Sequence, residues 1–92
     1  MIISFRHKGL RIFHDTGNTR GIQLSHAKRL KRQLQFLECA MSAQDLSVPG
    51  WHLHPLKGEL SGFWSVSVSG NWRLIFRFVG SDVELVDYLD YH

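Results

Sequence analysis

Five residues of this chain have side chains that together could move protons and hold a phosphate group: His54, Lys57, Arg73, Tyr91 and His92. An imidazole titrates at a pH of about 6.5 and can act as an acid or a base, while lysine and arginine supply positive charge. Cleavage of RNA by its own 2′-hydroxyl needs a group that accepts that proton, cations that stabilise the phosphorane, and a group that protonates the leaving 5′-oxygen. These residue types therefore suffice for RNA cleavage without a metal ion or other cofactor.

Three simpler explanations of the same residues stay open. His52 and His54 share one face if their segment is extended and could bind zinc, but a structural zinc site needs four N or S ligands and the chain has one cysteine. Either histidine could be a hydrogen-bonded structural residue. The end of the chain, residues 90–92, could be a frayed terminus. From composition and spacing alone, a ribonuclease is one of several comparable hypotheses.

The length and composition of the chain exclude several classes of protein. Its 92 residues predict one domain, residues 1–92, with a single core. The apolar runs are only a few residues long, so we expect no membrane segment and a cytoplasmic location. Cys39 is the only cysteine, which excludes a disulfide framework, and we expect it to be a small buried hydrophobe.

Positive charge is concentrated in the first half of the chain. The net charge is +3, but residues 1–46 hold eight Lys/Arg against three Asp/Glu, a balance of +5, and the remainder carries −2. Four of these cations fall in the first two turns of a predicted helix: Lys28, Arg29, Lys31 and Arg32. Cations there oppose the helix macrodipole, so stability alone does not select them. They form either a docking ridge for an anionic partner or an ordinary solvated helix face.

Apolar spacing predicts two helices in this basic half. Leu10 and Phe13, with a stop at Gly17, indicate a helix over residues 7–16. A longer helix is predicted over residues 25–43. Its apolar residues recur at intervals of three and four, and we expect them all to be buried: Ala27, Leu30, Leu34, Leu37 and Met41.

The second half of the chain has the two-residue period of β-strands. Apolar side chains alternate with polar ones over residues 64–68 and again over residues 72–78, and each segment should bury one face. With a third strand over residues 83–89, these segments form an antiparallel meander. Residues 2–5 and 51–54 can add strands, and the helices then cover one sheet face, which predicts a small α+β domain.

The polar face of the predicted sheet carries two arginines. Arg73 and Arg77 lie on the opposite side of their strand from its apolar residues, because side chains alternate faces. Ser65 and Ser67 of the neighbouring strand can face the same side. A cationic, polar sheet surface of this kind is a place where a phosphate can be held.

The whole chain resembles the HigB toxins of bacterial type II toxin–antitoxin systems, within the RelE/ParE superfamily. Four short segments carry the resemblance: Leu-His-Pro-Leu-Lys-Gly at residues 53–58, Gly-Phe-Trp-Ser-Val at 62–66, Asn-Trp-Arg at 71–73 and Asp-Tyr-His at 90–92. Each segment alone is weak, but together they are specific. The resemblance implies a RelE/ParE-like fold, with two N-terminal helices packed on a small, mainly antiparallel twisted sheet that ends in the meander.

The resemblance implies that the protein is an mRNA interferase, a metal-independent endoribonuclease. Such a toxin enters the ribosomal A site and cuts translated mRNA by 2′-hydroxyl attack, leaving a 2′,3′-cyclic phosphate and a 5′-hydroxyl. The positions that match the family's active site are His54, Lys57, Arg73, Tyr91 and His92, with Asp90 as an adjacent sixth candidate. Position 52 is often lysine in the family, so His52 does not belong to the set of matching active-site residues. The candidates for binding RNA or the ribosome are Lys28, Arg29, Lys31, Arg32 and Arg77.

The family also implies partners. These are a HigA-like helix-turn-helix antitoxin, the 70S ribosome and mRNA, with operator DNA reached only through the antitoxin and no membrane. Two alternatives stay open: a ParE-like poison of DNA gyrase, and a non-catalytic module that binds RNA or the ribosome. The presence together of His54, Lys57, Arg73 and the Tyr91-His92 end argues against both, because neither has a use for that set.

Overall fold

The computed structural model of the chain describes residues 1–91 and shows two α-helices and a four-stranded antiparallel sheet. The helices are α1, Lys8–Thr16, and α2, Ala27–Cys39. The strands are β1, His54–Pro55; β2, Phe63–Ser69; β3, Trp72–Val79; and β4, Asp82–Asp90. Short 3₁₀ turns span Leu24–His26, Ala43–Leu46 and Gly58–Leu60. The predicted α+β class is confirmed. Of the sequence-predicted site residues, His92 lies outside the described residues.

Helix α1 begins and ends where its capping residues require. The Nδ1 atom of His7 accepts the Leu10 backbone N–H at 2.9 Å and so caps the first turn. Gly17 follows the helix with a φ of 82°, and its N–H donates to the Phe13 carbonyl at 2.8 Å. The predicted helix over residues 7–16 is confirmed to within one residue.

Helix α2 is shorter than the predicted helix over residues 25–43. It stops at Cys39, because Ala40 adopts an extended backbone and a separate 3₁₀ turn follows, closed by a capping box between Ser42 and Asp45. Three residues of the predicted stripe are fully buried, Leu30, Leu34 and Leu37, whereas Ala27, also expected to be buried, is only half-buried in the first turn.

Two predictions near the end of α2 are wrong. Met41 is 70% exposed, because the chain leaves the helix before this residue and the helical stripe no longer places it. Cys39, in the last helical position, is exposed rather than a buried hydrophobe. The Met41 error follows from extending the helical period beyond the point at which the backbone turns away, whereas Cys39 is still helical but lies outside the buried stripe.

The sheet runs in the order β1-β2-β3-β4, which confirms the predicted meander. The N-terminal segment lies along β4, where Ile2 and Phe5 bridge in parallel to Val83 and Val86. The helices cover one sheet face, and the core between them includes Leu10, Leu34, Val66, Leu74, Phe76 and Val86. No helix within residues 1–91 combines the length and the apolar character that a membrane crossing requires.

Glu38 explains part of the unfavourable charge pattern of α2. Its Oε1 accepts the Ile2 backbone N–H at 2.7 Å, and its Oε2 lies 2.8 Å from Nε2 of His14. Burial raises the pKa of Glu38, but the Ile2 N–H and the His14 ring more than offset this, so the pKa lies below its usual value. This acidic residue in the last turn therefore fastens the N-terminal segment and α1 to α2.

We expect Glu38→Gln to remove part of the acid sensitivity of folding. A carboxyl group whose pKa is lowered by folding contributes stability above its usual pKa of 4.5, and that stability is lost as the pH falls below this value. The side chain is 37% exposed, so the effect at neutral pH should stay below about 1 kcal/mol. Thermal unfolding from neutral to acidic pH measures it, with Asp15→Asn as a control. An acid dependence as steep as that of the wild type would contradict this role.

Candidate active site

The sheet face that points away from the helices, called here the open face, carries three of the predicted site residues: His54, Arg73 and Tyr91. His54 pairs with Ser65, and Ser65 pairs with Ile75. Two residues further along β2, and so on the same face, Ser67 pairs with Arg73. Directly paired residues share a face, so His54 and Arg73 lie on the open face two strands apart, with roughly 12 Å between their Cα atoms.

The open face is less solvated than an outer sheet surface usually is. Ser65 and Ile75 are each 0% exposed, although they point away from the helices. The Oγ atom of Ser65 has no hydrogen-bond partner among the described residues. The expectation that each strand buries one face is therefore incomplete, because the middle of the open face is buried as well.

Arg73 is held by one of its three nitrogens. Its Nη1 donates to the Gly70 carbonyl at 2.8 Å, to the Ser67 hydroxyl at 3.2 Å and to the Trp72 carbonyl at 3.2 Å. Within residues 1–91, no hydrogen bond is described for its Nε or Nη2. These two nitrogens form the fork that binds two oxygens of a phosphate, so Arg73 is both oriented and available.

The ring of His54 is fixed in one tautomer by its own segment. Its Nδ1 lies 2.9 Å from the His52 carbonyl oxygen. A carbonyl only accepts, so Nδ1 carries the proton and Nε2 of the neutral ring keeps a free lone pair. His54 lies in β1 and is exposed, as expected before Pro55.

His52 does not share an extended segment with His54. Its φ of 51° is in the left-handed region, which is uncommon for a residue other than glycine. The extended segment that would place His52 and His54 on one face is not formed, because the backbone turns at His52. Within residues 1–91, no group of three or more His, Cys, Asp or Glu side chains is arranged to hold a metal ion.

Lys57 lies on the connection between β1 and β2. The Leu56 N–H donates to the Phe63 carbonyl at 2.9 Å, which closes the connection just before Lys57. Gly58 follows with a φ of 69°, a conformation that a side chain would strain. Lys57 is exposed and lies three residues from His54, at the same edge of the sheet.

The side chains of Asp90, the last residue of β4, and of Tyr91, which follows it, point to opposite faces of the sheet. The Tyr91 N–H donates to the Asn71 carbonyl at 2.8 Å, so this residue is anchored rather than frayed. Alternation places Tyr91 on the open face with Arg73, which pairs with Leu89. Asp90 pairs with Trp72 and therefore points to the helix side. Asp90 stays a prediction, with a weaker geometric basis than Tyr91.

Three of the six histidines have structural roles. His7 caps α1, and His14 bonds Glu38. His26 is buried, and its Nδ1 lies 2.6 Å from the hydroxyl of Tyr88. Burial raises the pKa of Tyr88 despite the Gln23 N–H that bonds its oxygen. The structural explanation thus holds for these three histidines but does not account for His54.

The predicted RNA-binding cations fall into two groups. Lys28, Lys31 and Arg32 are exposed on α2. Arg29 is half-buried, and its Nη2 donates to two backbone carbonyls outside α2, one before β1 and one in β2. Arg77 forms an ion pair with Glu84, donating from two nitrogens to one carboxylate oxygen. The first group is exposed, although the guanidinium of Arg32 also lies over two aromatic rings of the protein, whereas the second group is occupied by hydrogen bonds within the protein.

Sequence reasoning missed two contributors to this region. The guanidinium carbons of Arg6 and Arg77 each lie 5.4 Å from the ring centroid of Phe63. Gln33 of α2 is fully buried and donates to the Ser67 carbonyl at 2.8 Å. No pattern in the sequence indicates the Arg6 contact, but a glutamine inside an apolar helix stripe is a signal that could have identified Gln33.

Comparison with known proteins places the chain among toxins. A family model described as the RelE-like toxin of type II toxin–antitoxin system HigB matches residues 3–92. The chain is 39% identical to Endoribonuclease HigB of Proteus vulgaris, over 100% of both chains. It is 37% identical to Toxin HigB-1 of Vibrio cholerae serotype O1, over 100% of this chain and 98% of that one.

Two solved structures share the fold. A YoeB/ParE toxin from Agrobacterium tumefaciens superposes with a TM-score of 0.62 at 15% identity, covering 99% of this chain and 96% of that one. A YafQ variant from E. coli gives a TM-score of 0.56 at 17% identity, covering 96% and 89%. The fold is therefore that of RelE-like toxins, and with a family match over nearly the whole chain and two full-length relatives, this chain belongs to the HigB-like toxin family of type II toxin–antitoxin systems.

Proposed function

We propose that this chain is a toxin that cuts mRNA on the translating ribosome, as a metal-independent endoribonuclease. The observation that carries the proposal is the shared open face, on which His54 and the free fork of Arg73 point to the same side. A relative that is 39% identical over its whole length is named an endoribonuclease, which supports the same reaction class.

The residues divide the reaction as follows. Lys57 and Arg73 hold the non-bridging oxygens of the scissile phosphate and stabilise the charge of the phosphorane. His54 accepts the 2′-hydroxyl proton at Nε2, the 2′-oxygen bonds to phosphorus, and the bond to the 5′-oxygen breaks. His92 protonates that leaving oxygen. Tyr91 stacks on a base beside the cut, and Asp90 stays an adjacent candidate.

The family implies an antitoxin partner. We propose that this partner is a HigA-like protein with a helix-turn-helix domain, and that the toxin reaches operator DNA only through it. The remaining partners are the 70S ribosome and mRNA, in the bacterial cytoplasm. Exposed cations of α2 supply the ribosome contact: Lys28, Lys31 and Arg32.

We expect the triple change of Lys28, Lys31 and Arg32 to alanine to weaken ribosome binding and to reduce its salt dependence. Each lost phosphate contact should make the slope of log K against log salt shallower by roughly 0.7–0.9. The difference from wild type should therefore be largest at low salt. Binding titrations over a range of salt concentrations measure the slope, with Arg11→Ala on α1 as a control. An unchanged slope would show that α2 does not contact the ribosomal RNA.

Primer extension on translating ribosomes tests the proposed function. Cuts at defined positions within codons, absent with Arg73→Ala, support the endoribonuclease. Intact message together with broken DNA or inhibited gyrase supports a ParE-like poison instead. Intact message and undamaged DNA, with the protein bound to ribosomes, would identify a non-catalytic binding module.

A further inference from the structure

We propose that Ser67 is a positioning residue for Arg73, and that Gln33 and Arg29 of helix α2 hold Ser67 in the place where it does this. The proposal rests on the proposed function, because it concerns the residue that would hold the scissile phosphate. It also assigns Arg29 an internal role instead of a place in the ribosome contact.

Ser67 lies where β2 has lost its neighbouring strand. Strand β1 is only two residues long and pairs with Trp64 and Ser65, so β2 is an uncovered edge beyond that point. The register with β3 also shifts between Ser67 and Ser69, which marks a bulge. The Ser67 N–H donates to the Trp51 carbonyl at 2.6 Å, but its carbonyl has no strand to accept from.

Helix α2 supplies the missing donors for that carbonyl. The Nε2 of Gln33 donates to it at 2.8 Å and the Nη2 of Arg29 at 3.2 Å. The two residues are four apart, and so they project from the same side of the helix. Arg29 also donates to the Gly50 carbonyl at 2.8 Å, which ties it to the segment before β1. Both backbone groups of Ser67 are therefore fixed.

With its backbone fixed, Ser67 directs its hydroxyl to the open face. There Oγ accepts from Nη1 of Arg73 at 3.2 Å, beside the two carbonyls that hold the same nitrogen. Three acceptors on one nitrogen leave the guanidinium little freedom to turn. The fork of Nε and Nη2 then faces the place of the phosphate before RNA arrives, which is the preorganisation that phosphate stabilisation needs.

The hydrogen bonds of Gln33 and Arg29 to Ser67 leave the fold less stable than an apolar core would. Gln33 is 0% exposed, and its Oε1 has no partner within residues 1–91. Nε of Arg29 is likewise buried without a described partner. An apolar side chain of similar size at position 33 would avoid an unsatisfied buried amide. Polar groups retained at such a cost are typical of functional sites.

Ser67→Ala tests the positioning role in the cleavage reaction. We expect roughly a tenfold lower cleavage rate constant at saturating programmed ribosomes, because one hydrogen bond to a charged group is lost, with the half-saturating concentration unchanged. Ser67→Thr keeps the hydroxyl and should restore the rate, while Ser69→Ala, on the same strand, should match wild type. A full rate with Ser67→Ala would overturn the proposal, and so would a lost rate that Ser67→Thr does not restore.

Gln33→Met separates positioning from folding. We expect its unfolding temperature to equal or exceed that of wild type, since the orphaned amide is gone, while the cleavage rate constant per folded molecule falls several-fold. A purely structural glutamine predicts the reverse, a less stable protein with unchanged activity. That reverse result would overturn the part of the proposal that concerns α2.

A spectroscopic readout keeps the proposal testable without any cleavage assay. The Nε–Hε resonance of Arg73, assigned from its loss in Arg73→Lys, should shift and broaden in Ser67→Ala and in Gln33→Met. The Arg77 resonance in the same spectrum should stay in place. If wild type does not cut ribosome-bound mRNA, the proposed function fails, but the resonance still decides the positioning. An Arg73 resonance that is unchanged in both variants overturns the positioning whatever the activity.

Discussion

Replacing Arg73 or Lys57 by alanine is expected to abolish growth inhibition and to lower the rate of mRNA cleavage by about 10²–10³-fold. Each supplies a cation to a phosphorane whose charge increases in the transition state, and single donors of this kind are worth about 10²–10³ in rate. Lys57 is exposed and Arg73 is half-buried outside the core, so the fold should be retained. Single-turnover cleavage of ribosome-bound mRNA, with circular dichroism as a folding check, measures the effect.

Arg77 provides a matched control on the same strand and the same face. Its guanidinium is occupied by Glu84 and lies over the Phe63 ring, so it has less to offer to RNA than Arg73 has. We expect Arg77→Ala to reduce cleavage by less than about threefold, the range of a peripheral charge. Toxicity that survives Arg73→Ala would contradict this difference between the two arginines. Equal losses of cleavage rate for Arg73→Ala and Arg77→Ala would also show that the position of an arginine on the open face does not determine its role in cleavage.

The sheet was predictable because its signal is local and repeated. Alternation over residues 64–68 and 72–78 reports which side chains share a face, and the short turns between the strands determine which strands pair. The placement of Arg73 and Ser67 on the same face follows from that alternation. The bulge after Ser67 does not, because alternation reports which face a side chain occupies and not where a strand gains an unpaired residue.

The end of α2 was not predictable from periodicity. Met41 continues the spacing set by Leu37, yet the backbone has already left the helix at Ala40. What ends the helix is a competing local structure, the capping box of the following 3₁₀ turn, together with the packing of the chain that leads to Trp51. A hydrophobic stripe predicts which face is buried, but it does not predict where the helix stops.

The candidate site likewise contains some residues that the sequence could predict and others that it could not. Residues with reactive side chains were recognisable from their types and from the family resemblance, His54 and Arg73 above all. Their supports were not, because Gln33 and Arg29 act through hydrogen bonds to a carbonyl that is distant in sequence. In the sequence Arg29 is equivalent to its basic neighbours, and only burial distinguishes it from Lys28.

Replacing His54 by asparagine is expected to lower the cleavage rate by about 10²–10⁴-fold, the usual worth of a general base. The asparagine amide can still donate to the His52 carbonyl, as Nδ1 of His54 does, but it has no lone pair at the position of Nε2. The change therefore removes the base and keeps the hydrogen bond that orients it. Growth assays and single-turnover cleavage report the loss.

The dependence of the rate on pH shows whether His54 is the base. A base must be unprotonated, so the wild-type rate should fall towards acidic pH. In His54→Asn this acidic limb should disappear, while a fall at high pH, set by the acid that protonates the 5′-oxygen, should persist. His52→Asn is the control, because asparagine tolerates the left-handed backbone and keeps the carbonyl, and it should match wild type in rate and profile. An acidic limb that survives in His54→Asn would place the base elsewhere and leave His54 with an orienting role.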